Sequence, residues 1–260
     1  MTGSTEAGSL KRGVEFLKLL AAAGRSGLPL TGLATQTDLP HPSVHRVLKQ
    51  LVAARLVEQN PDNKRYRLGP FAFELGLASS LNFDLRGVCE PSMLEVASAT
   101  GNTVYLFMRS GHGEVCVHRV DGRMPIRTSV WGVGTRRLLG VGAGGLAILA
   151  ALNEPQRGDI IKTVAPILSR RSGLTAEVLT TSCRESREID TSIIHDTVIP
   201  GVNAVGVAIR NSSDEPVGAI SVAAWRERMP LLRMREIGRQ LLLVRTAIEE
   251  QLRAQRCGAW

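Results

Sequence analysis

The stretch that decides the fold runs Leu39-Pro40-His41-Pro42-Ser43-Val44-His45-Arg46-Val47-Leu48-Lys49-Gln50-Leu51. Val44, Val47, Leu48 and Leu51 fall on one side of a helical wheel turning about 100° per residue. The opposite side carries Pro42, Arg46 and Lys49, flanked by Ser43, His45 and Gln50. A buried helix would not leave such a face, and a merely solvated one usually carries acids, of which this face has none. Proline suits the first turn, where its missing N–H has no intrahelical partner. The pattern predicts a helix from Pro42 to about Arg55.

Upstream, Leu10, Val14, Leu17 and Ala21 recur at helical spacing and predict a helix over 9–23 with Ser9 as N-cap. The small, polar residues 1–8 are expected to fray. After a Gly24–Gly27 stop, Thr31 is expected to cap a second short helix ending near Asp38. Downstream, residues 56–69 read as a β-hairpin around the turn-rich Asn60-Pro61-Asp62-Asn63. A further helix is expected from Phe71 to Leu81, with Phe71, Leu75 and Ala78 on one face.

Three helices followed by such a hairpin make a winged helix-turn-helix, and its chemistry suits DNA. Arginine can pair with guanine O6/N7 through two hydrogen bonds, as glutamine can with adenine N6/N7. Ser43, His45 and Lys49 can bond phosphates or bases. Lys64 and Arg65 at the wing tip suit phosphate or the minor groove. The candidate DNA-binding set is therefore Thr31, Ser43, His45, Arg46, Lys49, Gln50, Lys64 and Arg65. The competing reading is a protein adaptor that uses the same fold without DNA.

Composition agrees. Lys+Arg 32 against Asp+Glu 24 leaves +8, a balance that favours a polyanionic partner. With 260 residues, 43% hydrophobic and 22% charged, the chain fits one or two globular domains and is too apolar for a disordered protein. No apolar run approaches the ~20 residues needed to span a bilayer, and the first residues lack a secretory pattern. The four cysteines, Cys89, Cys116, Cys183 and Cys257, are scattered, which excludes a CxxC zinc clip and suits a reducing cytoplasm.

Beyond residue 85 the texture changes to α+β. A helix over 86–100 leads into strand–turn–strand over 103–120, an extended stretch over 123–131 and a helix over 142–152. A polar, mostly helical segment follows over 153–188, then a hairpin over 204–224. The last helix carries Met234, Ile237, Leu241, Val244, Ile248 and Leu252 at 3–4 spacing. Gly140-Val141-Gly142-Ala143-Gly144-Gly145 matches GxGxxG, and Asp159 stands near the offset of a ribose-binding acid. The segment that follows is helical and polar, not a second parallel strand, so a dinucleotide site is not supported. The glycines can still bring bare backbone N–H groups to a helix start, a nest for carboxylate or phosphate. Close helix–sheet packing is the rival explanation. His112, Cys116 and His118 cluster in sequence, with Cys116 and His118 expected on one strand face; a metal site needs a third or fourth ligand and suitable geometry, a Ser-Gly-His-Gly turn with an incidental core cysteine explains the same residues, and no metal or cofactor is expected. No nucleophile elbow, Walker motif or HExxH occurs. An enzyme would have to use His195, beside Asp196, as its base.

Ser9-Leu10-Lys11-Arg12-Gly13-Val14, Leu17-Lys18-Leu19-Leu20, the Leu39–Leu48 run, Leu56-Val57 and Arg65-Tyr66-Arg67-Leu68-Gly69 resemble the DNA-binding domain of the IclR family of bacterial transcription regulators. The resemblance continues more loosely to about residue 253. It implies a winged helix-turn-helix domain over 1–69, a linker helix over 70–84 and a GAF/profilin-like effector-binding domain with an antiparallel sheet over 85–260. It also implies a homodimer or dimer of dimers on an inverted-repeat operator, and a small carboxylate effector contacted by backbone amides. By position, the effector residues are Ala143, Gly144, His195, Asn203, Ala204 and Ser221. The chain departs from the family where His41-Pro42 replaces a Lys-Ser-type pair, which changes the donors near the DNA backbone. It departs again where Ile194 and Ala204 replace an acid or a cysteine.

Overall fold

The computed structural model describes residues 4–80, 84–126, 132–197 and 199–257, which fall into two compact units, Met1–Asp84 and Leu85–Trp260. The first unit contains α1 (Ser4–Ala23), α2 (Leu30–Thr37), α3 (His41–Ala53), the antiparallel pair β1 (Val57–Gln59) and β2 (Tyr66–Leu68), and α4 (Pro70–Ser80). Phe16, Leu20, Leu33, Val44, Val47, Leu48, Leu51, Val57 and Tyr66 form its core. The four from α3 are those the wheel selects, and each such burial contributes roughly 1.5–3 kcal/mol.

Helix starts differ from expectation. α1 begins at Ser4, so Ser9 lies inside it, and its hydroxyl reaches Gln50 Oε1 at 3.4 Å instead of capping. Pro29 stands at the N-cap of α2, with Thr31 in the first turn, where its carbonyl accepts from the Thr35 hydroxyl. Proline provides the extended entry (ψ 161°), so the chain turns into the helix without a side-chain cap. α4 is not amphipathic: Phe71, Phe73, Leu75 and Leu77 are all exposed. Phe71 and Leu75 lie on one side and Phe73 and Leu77 nearly opposite, because two-residue steps move about 200° round a helix.

The second unit is a six-stranded antiparallel sheet in the order β5 (Arg136–Leu138), β4 (Gly113–Val120), β3 (Thr103–Ser110), β8 (Pro216–Trp225), β7 (Val202–Arg210), β6 (Ser192–His195). α6 (Ala143–Ala151) lies on one face, backed by α7 (Glu154–Ser172) and α8 (Ala176–Glu188). α5 (Leu85–Thr100) and α9 (Leu231–Cys257) pack together on the other face. Strand alternation sorts the side chains between these faces. Phe107, Ala208 and Ala219 turn to α6, while Val205 meets Gly238 of α9. In α9, Met234, Ile237, Leu241, Ile248 and Leu252 are buried as their spacing requires, and Val244 is half-buried.

The short strands β5 and β6 escape the sequence reading, being too brief for alternation to show. Residues 123–126 form no strand, and 127–131 of that expected extended stretch lie outside the described residues, as does Leu81. Among the described residues no helix is long and apolar enough to cross a membrane.

Candidate functional site

In the first unit, His45, Arg46, Lys49 and Gln50 of α3 are exposed and Ser43 is half-buried, so the polar face of the wheel is a solvent face. Thr31 is exposed on α2. The wing turn is held by its asparagines. Asn60 Oδ1 accepts from the N–H groups of Asp62 and Asn63, and Asn63 Oδ1 accepts from Arg65 N–H. This arrangement places Lys64 at φ 57° with its side chain exposed.

Arg65 has a structural duty that the sequence does not reveal. Its Nε donates to Ser26 O at 2.7 Å and its Nη2 to Gly27 O at 2.9 Å, which ties the wing to the turn after α1. Gln50 is held weakly at Ser9.

In the second unit, a narrow cavity of about 30 Å³ opens at the start of α6, lined by Tyr105, Phe107, Gly142, Ala143, Ile194, Ile199, Val202, Ala204, Ser221 and Ala223. Ser221 pairs in register with Tyr105 and supplies a buried hydroxyl beside apolar walls. α6 has no side-chain cap, and its first internal bond runs from Leu146 N to Gly142 O. The amides of Ala143, Gly144 and Gly145 therefore lack intrahelical acceptors at the positive end of the helix. Gly206 lets this turn approach the sheet, since a Cβ there would stand 2.7 Å from Ala143 C.

Ala143, Ala204 and Ser221 thus converge on the cavity. His195 and Asn203 do not. They pair in register with each other, one step along from the Ile194–Ala204 pair that lines it. Side chains alternate along a strand, so this pair faces the other side of the sheet. Asn203 is structural: it accepts from Asp196 N–H at 3.1 Å and donates to Met229 O at 3.0 Å. His195 is exposed. Gly144 serves packing, because its Cβ would stand 2.5 Å from Phe107 Cδ2.

Missed by sequence reasoning are Tyr105, Phe107 and Ile199 of the cavity, and Glu114 behind it, while Ile194, noted as a departure from the family, does line it. An acid at an inward position of an apolar strand was the available signal for Glu114. Burial pushes its carboxyl up to about 8, against the opposing pull of Arg137. The expected shared face of Cys116 and His118 is also corrected. A bulge beside Leu106/Phe107 sets Cys116 opposite Phe107 and His118 opposite Leu106. His118 consequently meets Glu90 of α5 at 3.1 Å, and no three His, Cys, Asp or Glu side chains gather to hold a metal among the described residues.

A larger cleft, about 680 Å³, lies at the other end of α6. Two of its arginines are held at carbonyls: Arg157 donates to Ala150 O and Leu152 O, and Arg210 to Ala151 O, capping the negative helix end, while Arg187 is exposed and stands 3.9 Å from Glu154. Glu154, Asp190, Asp214 and Glu215 share the cleft, so its charges are mixed and select no ligand class.

An exposed acid-free helix beside a wing, joined in one chain to a separate α+β unit, defines the class of two-unit DNA-binding regulators. The model of the bacterial transcriptional regulator IclR C-terminal domain matches residues 78–249, and the IclR helix-turn-helix model matches 9–61. The chain belongs to the IclR family of transcriptional regulators and binds DNA through its helix-turn-helix. It is 25% identical over 229 residues to the HTH-type transcriptional repressor AllR of Salmonella paratyphi A, covering 88% of this chain and 84% of that relative. An IclR-family regulator from Brucella abortus shares the fold with a TM-score of 0.78 at 21% identity, covering 96% of this chain and 94% of its own. An IclR homolog from Microbacterium hydrocarbonoxydans, solved in complex with 4-hydroxybenzoate, does so at 0.72 and 20% identity, covering 95% and 99%.

Proposed function

We infer that this regulator reads an inverted-repeat operator as a homodimer or dimer of dimers, and that a small carboxylate effector bound in the second unit tunes its hold on DNA. The effector reading is carried by one observation, the uncapped start of α6 opening onto an apolar cavity whose lining includes two residues with buried hydroxyls, Ser221 and Tyr105. Such a site offers amides to an acid group and apolar walls to the remainder of a small molecule. The 4-hydroxybenzoate complex of the Microbacterium relative supports the same ligand class. At about 30 Å³ the cavity has room for roughly one water, so an organic acid has to widen it. The effector changes DNA affinity only by its different affinity for two states of the protein.

The two-fold assembly is supported by α4, whose apolar residues are exposed all round and call for cover by a second copy. A dimer also presents two recognition helices to the two half-sites. Catalysis gains no support, because His195, its candidate base, faces away from the cavity.

The test is a gel shift on the DNA upstream of the protein's own gene, at several salt concentrations, with and without small carboxylates. Binding should weaken steeply with salt, as phosphate contacts require. A small carboxylate should shift the midpoint. Salt-independent binding would sink the DNA reading, and indifference to every acid would sink the effector reading.

A further inference from the structure

We propose that Glu114 couples a proton to effector binding: its uncharged carboxyl leaves the first turn of α6 open to an anionic effector, and its charged form repels that anion. The proposal rests on the effector reading above and adds a residue outside the cavity lining.

The geometry starts from a buried acid. Glu114 is 1% exposed, and neither carboxyl oxygen has a hydrogen-bond partner. The carboxyl lies against the first turn of α6. A Cβ on Gly145 would stand 3.0 Å from Glu114 Cδ and Oε1, and one on Gly144 would stand 3.2 Å from Oε2. Two consecutive glycines therefore make the room this acid occupies. The same Gly144 Cβ would meet the Phe107 ring, and Phe107 lines the cavity. The carboxyl and a ring of the cavity wall thus meet at one point beside Gly144, in the turn whose amides an effector's acid would face.

The groups around it leave the titration to Glu114. Its register partners are Arg137 on β5 and Arg109 on β3. Cys116 follows it on β4 and Tyr105 stands on β3, while the first turn of α6 brings no charge. Burial pushes Cys116 and Tyr105 each to about 12, so both keep their protons at neutral pH. Arginine stays charged throughout. Glu114, raised to about 8, is the member of this set that changes charge between pH 6 and 9.

Two unit charges on the order of 6 Å apart, at an effective dielectric of about 20, change a binding constant by roughly a hundredfold. Coupling is reciprocal, so a bound anion raises the proton affinity of Glu114 by the same factor.

Calorimetry on the full chain tests this, with benzoate as probe because its own charge is constant over the range. Wild-type affinity should fall roughly tenfold from pH 6 to 9, with uptake of about 0.8 proton per benzoate at pH 9 in buffers of different ionisation enthalpy. Glu114→Gln should bind with no such slope and no uptake. A flat wild-type profile, or an unchanged slope in the variant, would overturn the proposal and leave the effector reading standing. Failure of benzoate, acetate and 4-hydroxybenzoate to bind either form at pH 6 would overturn both.

Urea unfolding supplies a check that needs no ligand. A carboxyl raised in the folded state stabilises fully below its unfolded value and loses that contribution as pH rises towards its folded value. The wild-type folding constant should therefore drop about tenfold per pH unit between 5 and 8, relative to Glu114→Gln. Parallel curves would show a charged Glu114 throughout and overturn the proposal.

Discussion

α3 and α6 are both short helices, and the roles proposed for them work in opposite ways. α3 buries Val44, Val47, Leu48 and Leu51 and exposes its chemistry as side chains. α6 is buried from Ala143 through Ala150 and offers only its uncapped backbone end. In the proposed reading one helix acts through what its residues carry, the other through what its glycines leave out. A substitution on α3 should therefore change recognition and spare the fold, whereas one on α6 should damage the fold before it changes recognition.

The strongest challenge to that contrast is Gly144→Val. The first added carbon would already stand 2.5 Å from the buried Phe107 ring, and overpacking of this kind costs about 3 kcal/mol. Calorimetric melting should show the second unit destabilised by about that amount. If melting is unchanged and only the effector response is lost, the wall yields and the contrast fails.

Arg46→Ala comes next. Operator affinity should fall by ~1–3 kcal/mol, with relaxed preference at one base pair and unaltered melting. Selection from a randomised operator measures this, and an intact preference would remove Arg46 from the reading face.

The smallest effects compare neighbours on the wing. Lys64→Ala should weaken binding to all sequences alike and reduce the salt slope by about one. Arg65→Ala should instead lower the stability of the first unit by about 1 kcal/mol through its lost carbonyl contacts. Equal salt slopes in the two variants would mean that Arg65 also reaches DNA.

This contrast explains what could be read in the chain. The head was legible because its information is periodic: α3 alternates sides every few residues, and the wing turn is spelled in asparagine and proline. The long strands and α9 were legible for the same reason. The short strands β5 and β6 were not, since three or four residues carry no period. Ser9 and Thr31 misled because a hydroxyl near a helix start is a common cap, and here the chain enters α2 through Pro29 instead. His195 and Asn203 misled because position along a strand does not reveal which face is inward. The register with Ile194 and Ala204 decided it. Glu114 and its glycines lie far apart in sequence, so their fit exists only in three dimensions.

α6 is also anchored unevenly. Arg157 from α7 and Arg210 from β7 grip its last carbonyls, while its first turn has no side-chain cap among the described residues. Nine residues make a rod roughly 13 Å long. A rod clamped at one end behaves as a lever, so a displacement at its free tip is felt as torque at the two arginines, where β7 ends and α7 begins.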